Sequence, residues 1–140
     1  MNATQEKHGR CLCGAVGISI STAQLTVSAC HCATCRKWGG GPLMVVESET
    51  PPRISGEQQV RVHASSDWAE RGFCGQCGSH LFYRLKAGGF HAIPVGLLDG
   101  DEAWRFELQV FIDAKPAYYC FANQTRNLTG EELFAQHGQA

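Results

Sequence analysis

Eight cysteines in a chain of 140 residues constrain this sequence more than any other feature. They are Cys11, Cys13, Cys30, Cys32, Cys35, Cys74, Cys77 and Cys120, and all but the last fall in three tight groups. The groups read C-x-C at 11–13, C-x-C-x-x-C at 30–35 and C-x-x-C at 74–77. An even count would suit a disulfide framework in a secreted protein. The amino terminus argues against that setting, because residues 1–9 carry Glu6, Lys7 and His8 and no apolar run of signal-peptide length. The expected compartment is the reducing cytoplasm, where thiols stay free or bind metal. Spacing then favours metal, since disulfide frameworks bridge distant segments whereas metal sites take cysteines in close pairs.

The remaining composition narrows the class. Apolar residues make up 44% and charged residues 18%, a length and balance that suit one compact domain. Twelve Lys and Arg against thirteen Asp and Glu give a formal charge of −1, so nucleic acid and acidic membrane surfaces are not expected partners. The longest useful apolar runs, 43–46 and 93–98, are far shorter than the roughly 18 residues of a spanning helix. Short strand-like stretches separated by turn residues argue for a mainly β domain. The candidates are 15–20, 43–47, 60–64, 80–85, 90–95 and 107–112. Val60, Val62 and Ala64 alternate with Arg61 and His63, as in a half-buried strand. Thr129-Gly130-Glu131-Glu132 reads as a capping box opening a short C-terminal helix that ends before Gly138, and a further helical turn is expected from Cys32 to Trp38.

Cys74-Gly75-Gln76-Cys77-Gly78 has the chemistry of a zinc knuckle, with Gly75 and Gly78 permitting the positive φ of such turns. A knuckle supplies two ligands and a closed site needs four. Cys11 and Cys13 can supply the others, since side chains two apart in an extended segment share a face at roughly 6.6 Å. Cys11, Cys13, Cys74 and Cys77 are therefore assigned to one structural zinc. Cys30, Cys32 and Cys35 lie close enough for one ion, and three protein ligands with an open fourth position is the catalytic arrangement. Two alternatives stay open on spacing alone. A fourth ligand can come from His31, His63, His80 or Cys120, although His31 should face away from the sulfurs beside it. The pairs can also be exchanged, Cys30 and Cys32 joining Cys74 and Cys77 while Cys11 and Cys13 join Cys35. Arg36 and Lys37 can hold substrate carboxylates, and Trp38 beside the trio is the best aromatic for a pocket. Cys120 is expected as a buried free thiol, and Phe73, Trp104, Tyr118 and Tyr119 as core or rim aromatics.

Gly9-Arg10-Cys11-Leu12-Cys13-Gly14-Ala15-Val16, Cys30-His31-Cys32-Ala33-Thr34-Cys35-Arg36-Lys37 and Arg71-Gly72-Phe73-Cys74-Gly75-Gln76-Cys77-Gly78-Ser79 resemble the glutathione-dependent formaldehyde-activating enzyme family. Gly96-Leu97-Leu98-Asp99 and Asp113-Ala114-Lys115-Pro116 resemble its later motifs. The resemblance implies a β-tent fold of folded-over, zinc-binding β-sheets. It also implies two Zn2+ per chain, one structural and one reactive on Cys30, Cys32 and Cys35. The implied activity is that of a carbon–sulfur lyase joining a glutathione-like thiol to a small aldehyde such as formaldehyde, or releasing it. The implied partners are thus small-molecule thiols and aldehydes, with a homo-oligomer left open. The implied organisation is a tail over 1–8, the zinc-binding domain over 9–128, and a helix and tail over 129–140. Gln109 stands where the family often has His, and Tyr118 where Trp is common. The competing reading is a non-catalytic, zinc-stapled binding or adaptor module on the same fold class.

Overall fold

Strand pairing, not apolar content, decides where this chain is extended. In the computed structural model, which describes residues 4–100 and 103–137, eleven strands and two helices follow in order. The strands are β1 (Gln5–Arg10), β2 (Gly17–Thr22), β3 (Thr26–Cys30), β4 (Leu43–Glu47), β5 (Arg53–Ser55), β6 (Val60–Ala64), β7 (Ala69–Cys74), β8 (His80–Leu85), β9 (His91–Pro94), β10 (Arg105–Val110) and β11 (Arg126–Leu128). The helices are α1 (Ala33–Gly39) and α2 (Gly130–His137). The mainly β class and the short C-terminal helix match the sequence expectation, and neither sheet closes on itself. Among the described residues, no helix is long and apolar enough to cross a membrane.

The chain falls into two compact units, Met1–Leu25 with Val46–Ala103 and Thr26–Val45 with Trp104–Ala140, where length alone pointed to one domain. Each is assembled from two chain segments, so neither is visible as a contiguous stretch of sequence. In the first unit, β1 and β5 flank β2 antiparallel, with Arg10 opposite Gly17 and Gly17 opposite Ser55. The inner side carries the buried Ile18 and Ile20, and the outer side is polar. A second run of antiparallel pairs joins β6 to β7, β7 to β8 and β8 to β9, burying Leu81, Phe82, Ala92 and Ile93. In the second unit, β3 pairs antiparallel with β4 and parallel with β10, and β10 pairs parallel with β11. Val27, Ala29 and Val110 are buried there together with two polar residues, His31 and Gln109.

Three expectations change. Residues 5–8, assigned to an N-terminal tail, belong to β1, because all six residues of this strand pair with β2. Strand β6 forms over 60–64, but Val62 is 45% exposed and the alternation carries no burial. Among the described residues its only strand neighbour is β7, so it lies at an edge. Cys120 is exposed rather than buried.

Candidate metal centres

The four-cysteine group is built in the first unit from two turns of the same design. In one, the Cys11 amide donates to Val16 O at 2.9 Å and the Gly14 amide to Cys11 O at 3.0 Å. In the other, the Cys74 amide donates to Ser79 O at 2.9 Å and the Gly78 amide to Cys74 O at 2.8 Å. Each turn closes on a left-handed glycine just after its second cysteine, Gly14 and Gly78 both at φ 82°, a conformation that penalises a Cβ. Gly75, expected to share it, does not. Its amide donates to Gln59 O at 2.7 Å, and a Cβ there would lie 3.0 Å from the Arg61 side chain and 3.1 Å from Gln59 O, so a larger residue needs those neighbours to give by a few tenths of an ångström. The Leu12 amide donates to Ser79 Oγ at 3.0 Å, tying one turn to the other.

The four sulfurs lie within 4.8 Å of one another, with Cys11 to Cys13 at 3.7 Å and Cys13 to Cys74 at 3.8 Å. A zinc–sulfur bond of about 2.3 Å makes the edge of a regular tetrahedron about 3.8 Å, so the donor set fits a zinc ion. Donors converge on the sulfurs: the Val16 amide on Cys11 at 3.3 Å, the Gln76 amide on Cys74 at 3.4 Å, and Ser79 Oγ beside Cys77 at 3.3 Å. The Ser79 hydroxyl, followed by its amide, brings the Cys77 thiol down to about 5. The Ala15 amide favours the Cys13 thiolate, but loss of water and three crowding sulfurs push Cys13 up to about 12. Four sulfurs this close cannot all ionise on their own, and a divalent cation removes that conflict.

The trio forms in the second unit at a strand-to-helix corner. Cys30 ends β3, Cys32 caps α1, and the Cys35 amide donates back to Cys32 Sγ at 3.4 Å. The three sulfurs also lie within 4.8 Å of one another. Hydrogen bonding to Cys32 and Cys35, then burial, drives the Cys30 thiol strongly upward. Among the described residues, no fourth His, Cys, Asp or Glu donor joins them. The exchanged pairing is thereby overturned, since the seven sulfurs separate into 11/13/74/77 and 30/32/35. The candidate fourth ligands are elsewhere: His80 Nε2 donates to Phe82 O at 3.0 Å, His63 is exposed on β6, and Cys120 belongs to neither group.

His31, between two sulfur donors, is fully buried and bonded at every polar atom. Its amide donates to Val110 O at 3.1 Å, and its carbonyl accepts from Arg36 Nε at 2.9 Å. On the ring, Nδ1 meets the Tyr119 hydroxyl and Nε2 meets Gln109 Oε1, both at 2.7 Å. Gln109 Nε2 donates to Thr125 Oγ1 at 2.9 Å, which donates to Asn127 Oδ1 at 2.7 Å. With Gln109 Oε1 as its partner, the His31 ring donates from Nε2, and in the neutral ring Nδ1 then accepts from the Tyr119 hydroxyl. Arg36, expected as a substrate contact, thus spends one nitrogen on the corner itself. Lys37 is exposed and Trp38 half-buried on the same helix. Reading the sequence missed Tyr119, Gln109 and Ser79 as partners of the two centres. For Ser79 the available signal was its place directly after Cys77-Gly78.

The family model described as glutathione-dependent formaldehyde-activating enzyme matches residues 6–114. A protein of Schizosaccharomyces pombe named as an uncharacterized lyase is 38% identical over 129 residues, covering 91% of this chain and 94% of that protein. The crystal structure of a Rhodobacter sphaeroides protein is similar with a TM-score of 0.59 at 22% identity, over 68% of this chain and 90% of that one. The last likeness bears on the fold alone.

Proposed function

The chain belongs to the glutathione-dependent formaldehyde-activating enzyme family, and on that basis we propose that it is a carbon–sulfur lyase joining a glutathione-like thiol to a small aldehyde such as formaldehyde, and reversing that step. Cys11, Cys13, Cys74 and Cys77 hold a structural zinc in this reading. Cys30, Cys32 and Cys35 hold the second. The observation that carries the proposal is the convergence of three sulfurs without a fourth protein donor among the described residues. Cys30, Cys32 and Cys35 would hold the ion, which when bound would supply a thiophilic Lewis acid that favours the thiolate form of a thiol at neutral pH.

The chain's own residues provide the rest. Three cysteine thiolates, rich in negative charge, favour presenting a sulfur nucleophile over polarising a carbonyl. The sulfur electron pair forms the new S–C bond, the carbonyl π pair moves to oxygen, and that oxygen takes up the proton given up by the thiol. The reverse breaks the S–C bond and returns the proton. In this reading Lys37 and the remaining donors of Arg36, on the helix that Cys32 caps, would hold substrate carboxylates, with Trp38 on the same helix. The reducing cytoplasm would keep both sets of thiolates competent.

The test is exchange spectroscopy on formaldehyde and glutathione at equilibrium with the metal-loaded protein. The expected result is exchange faster than the uncatalysed reaction, lost in Cys35→Ser. Two bound metals per chain with exchange at the uncatalysed rate would overturn the enzyme reading and leave the binding module.

A further inference from the structure

We propose that the outer face of the β1–β2–β5 sheet binds the phosphate group of a small molecule, in a recess formed by Arg10, His8, Ser19, Arg53 and Ser55 over Gly17. The strand register assembles these residues without help from the cysteines. Arg10, Gly17 and Ser55 form one row across the three strands, and His8, Ser19 and Arg53 form the next. Side chains two apart share a face, so both rows point away from buried Ile18 and Ile20. At the centre of the first row there is no side chain. A Cβ on Gly17 would come within 2.6 Å of Ser55 Oγ and 3.5 Å of the Arg10 guanidinium carbon. Those two groups lean over the bare backbone and leave a recess of 270 Å³.

The donors in the recess are only partly used by the fold. Arg10 Nη1 donates to Gly14 O at 2.8 Å, and Arg53 Nη2 pairs with Glu6, which also accepts from Ser21. His8 Nδ1 lies 2.9 Å from Ser19 Oγ. An ordinary solvated sheet face mixes charges of both signs. This face does so too, because Glu6 in the next row pairs with Arg53, while the recess itself is lined by two guanidiniums, an imidazole and two hydroxyls. Donors come from all three strands, which suits a tetrahedral anion accepting in several directions. A lone carboxylate is satisfied by one guanidinium fork.

The experiment is a titration of the full-length, metal-loaded protein with inorganic phosphate, followed by amide and arginine Nε nuclear magnetic resonance. Acetate and chloride at equal ionic strength run alongside, with phenyl phosphate as the ester arm. Saturable shifts at Gly17, Ser19, Ser55, Arg10 and Arg53 are expected with phosphate and absent with chloride. Tighter binding of phenyl phosphate would identify an ester as the natural group, and equal binding the free anion. Arg10→Gln should weaken binding about tenfold. Arg10→Lys, which keeps the charge, should also weaken it, because the fork is lost. Linear shifts matching chloride, or saturation by acetate alone, would overturn the proposal. So would wild-type affinity in both Arg10 variants.

Discussion

His31 shows how much of a candidate metal centre is decided by residues outside its donor set. Its flanking cysteines point where they do because its amide, carbonyl and both ring nitrogens are each tied down. Gln109→Leu would leave the buried Nε2–H of His31 without an acceptor, at a cost of about 1–3 kcal/mol. Under the proposed function, loss of such a support weakens the trio's hold on metal by about 10–100-fold. Competition with a chromophoric chelator should show that loss at the trio and none at the four-cysteine group, which serves as the control within the same chain. The sequence reading had His31 facing away from the sulfurs beside it; its ring nitrogens meet Tyr119 and Gln109 and do not join the trio. Its partners were not legible, because Gln109 and Tyr119 lie 78 and 88 residues further along. No local pattern encodes a contact of that separation. His80 allows a pH prediction. Burial holds its imidazole down to about 4 against an ordinary 6.5. Between those values the unfolded chain binds the proton and the folded chain does not, so stability falls as pH drops below about 6.5 and the loss levels near 4. The stability difference between wild type and His80→Gln, from urea unfolding across that range, should trace this slope. A flat difference would contradict it.

At the scale of elements, local chemistry was readable wherever it was self-contained. The capping box is present as expected: the Glu132 amide donates to Thr129 Oγ1 at 3.1 Å and the Thr129 amide to Glu132 Oε1 at 2.8 Å. Thr129→Ala should therefore cost about 1 kcal/mol and speed amide exchange in α2 while leaving β-strand amides protected. Strands β4, β6 and β8 have the bounds the sequence indicates, since each is rich in β-formers between turn residues. Strand β1, QEKHGR, carries no apolar residue, and its six residues are extended because β2 pairs with all of them. Strands β3, β5, β7 and β11 were likewise missed. β7 interrupts its apolar residues with Glu70, Arg71 and Gly72, and pairs on both sides. Extension imposed by neighbours leaves no period in the strand's own sequence.

At the scale of the whole molecule, the cysteine groups divide by what each one ties. The four-cysteine group joins the two chain segments of the first unit, Met1–Leu25 and Val46–Ala103. The trio spans six residues at one strand-to-helix corner. A cross-link between distant segments removes far more freedom from the unfolded chain than one within a single corner. In the proposed two-zinc state, the two ions should therefore differ in what their loss does. Adding a strong chelator should release metal in two phases. The first equivalent should leave rapidly from the three-sulfur site, with little change in far-ultraviolet circular dichroism. The second should leave slowly, together with loss of the β signal, because metal binding and folding are one equilibrium there. Cys74→Ser should reproduce the second phase from the outset, yielding an unfolded first unit. Cys32→Ser should yield a folded protein lacking one metal. Release of both equivalents in a single phase, or equal unfolding by the two substitutions, would mean that neither group is specialised. The chemistry proposed for the trio would then have to coexist with a folding role.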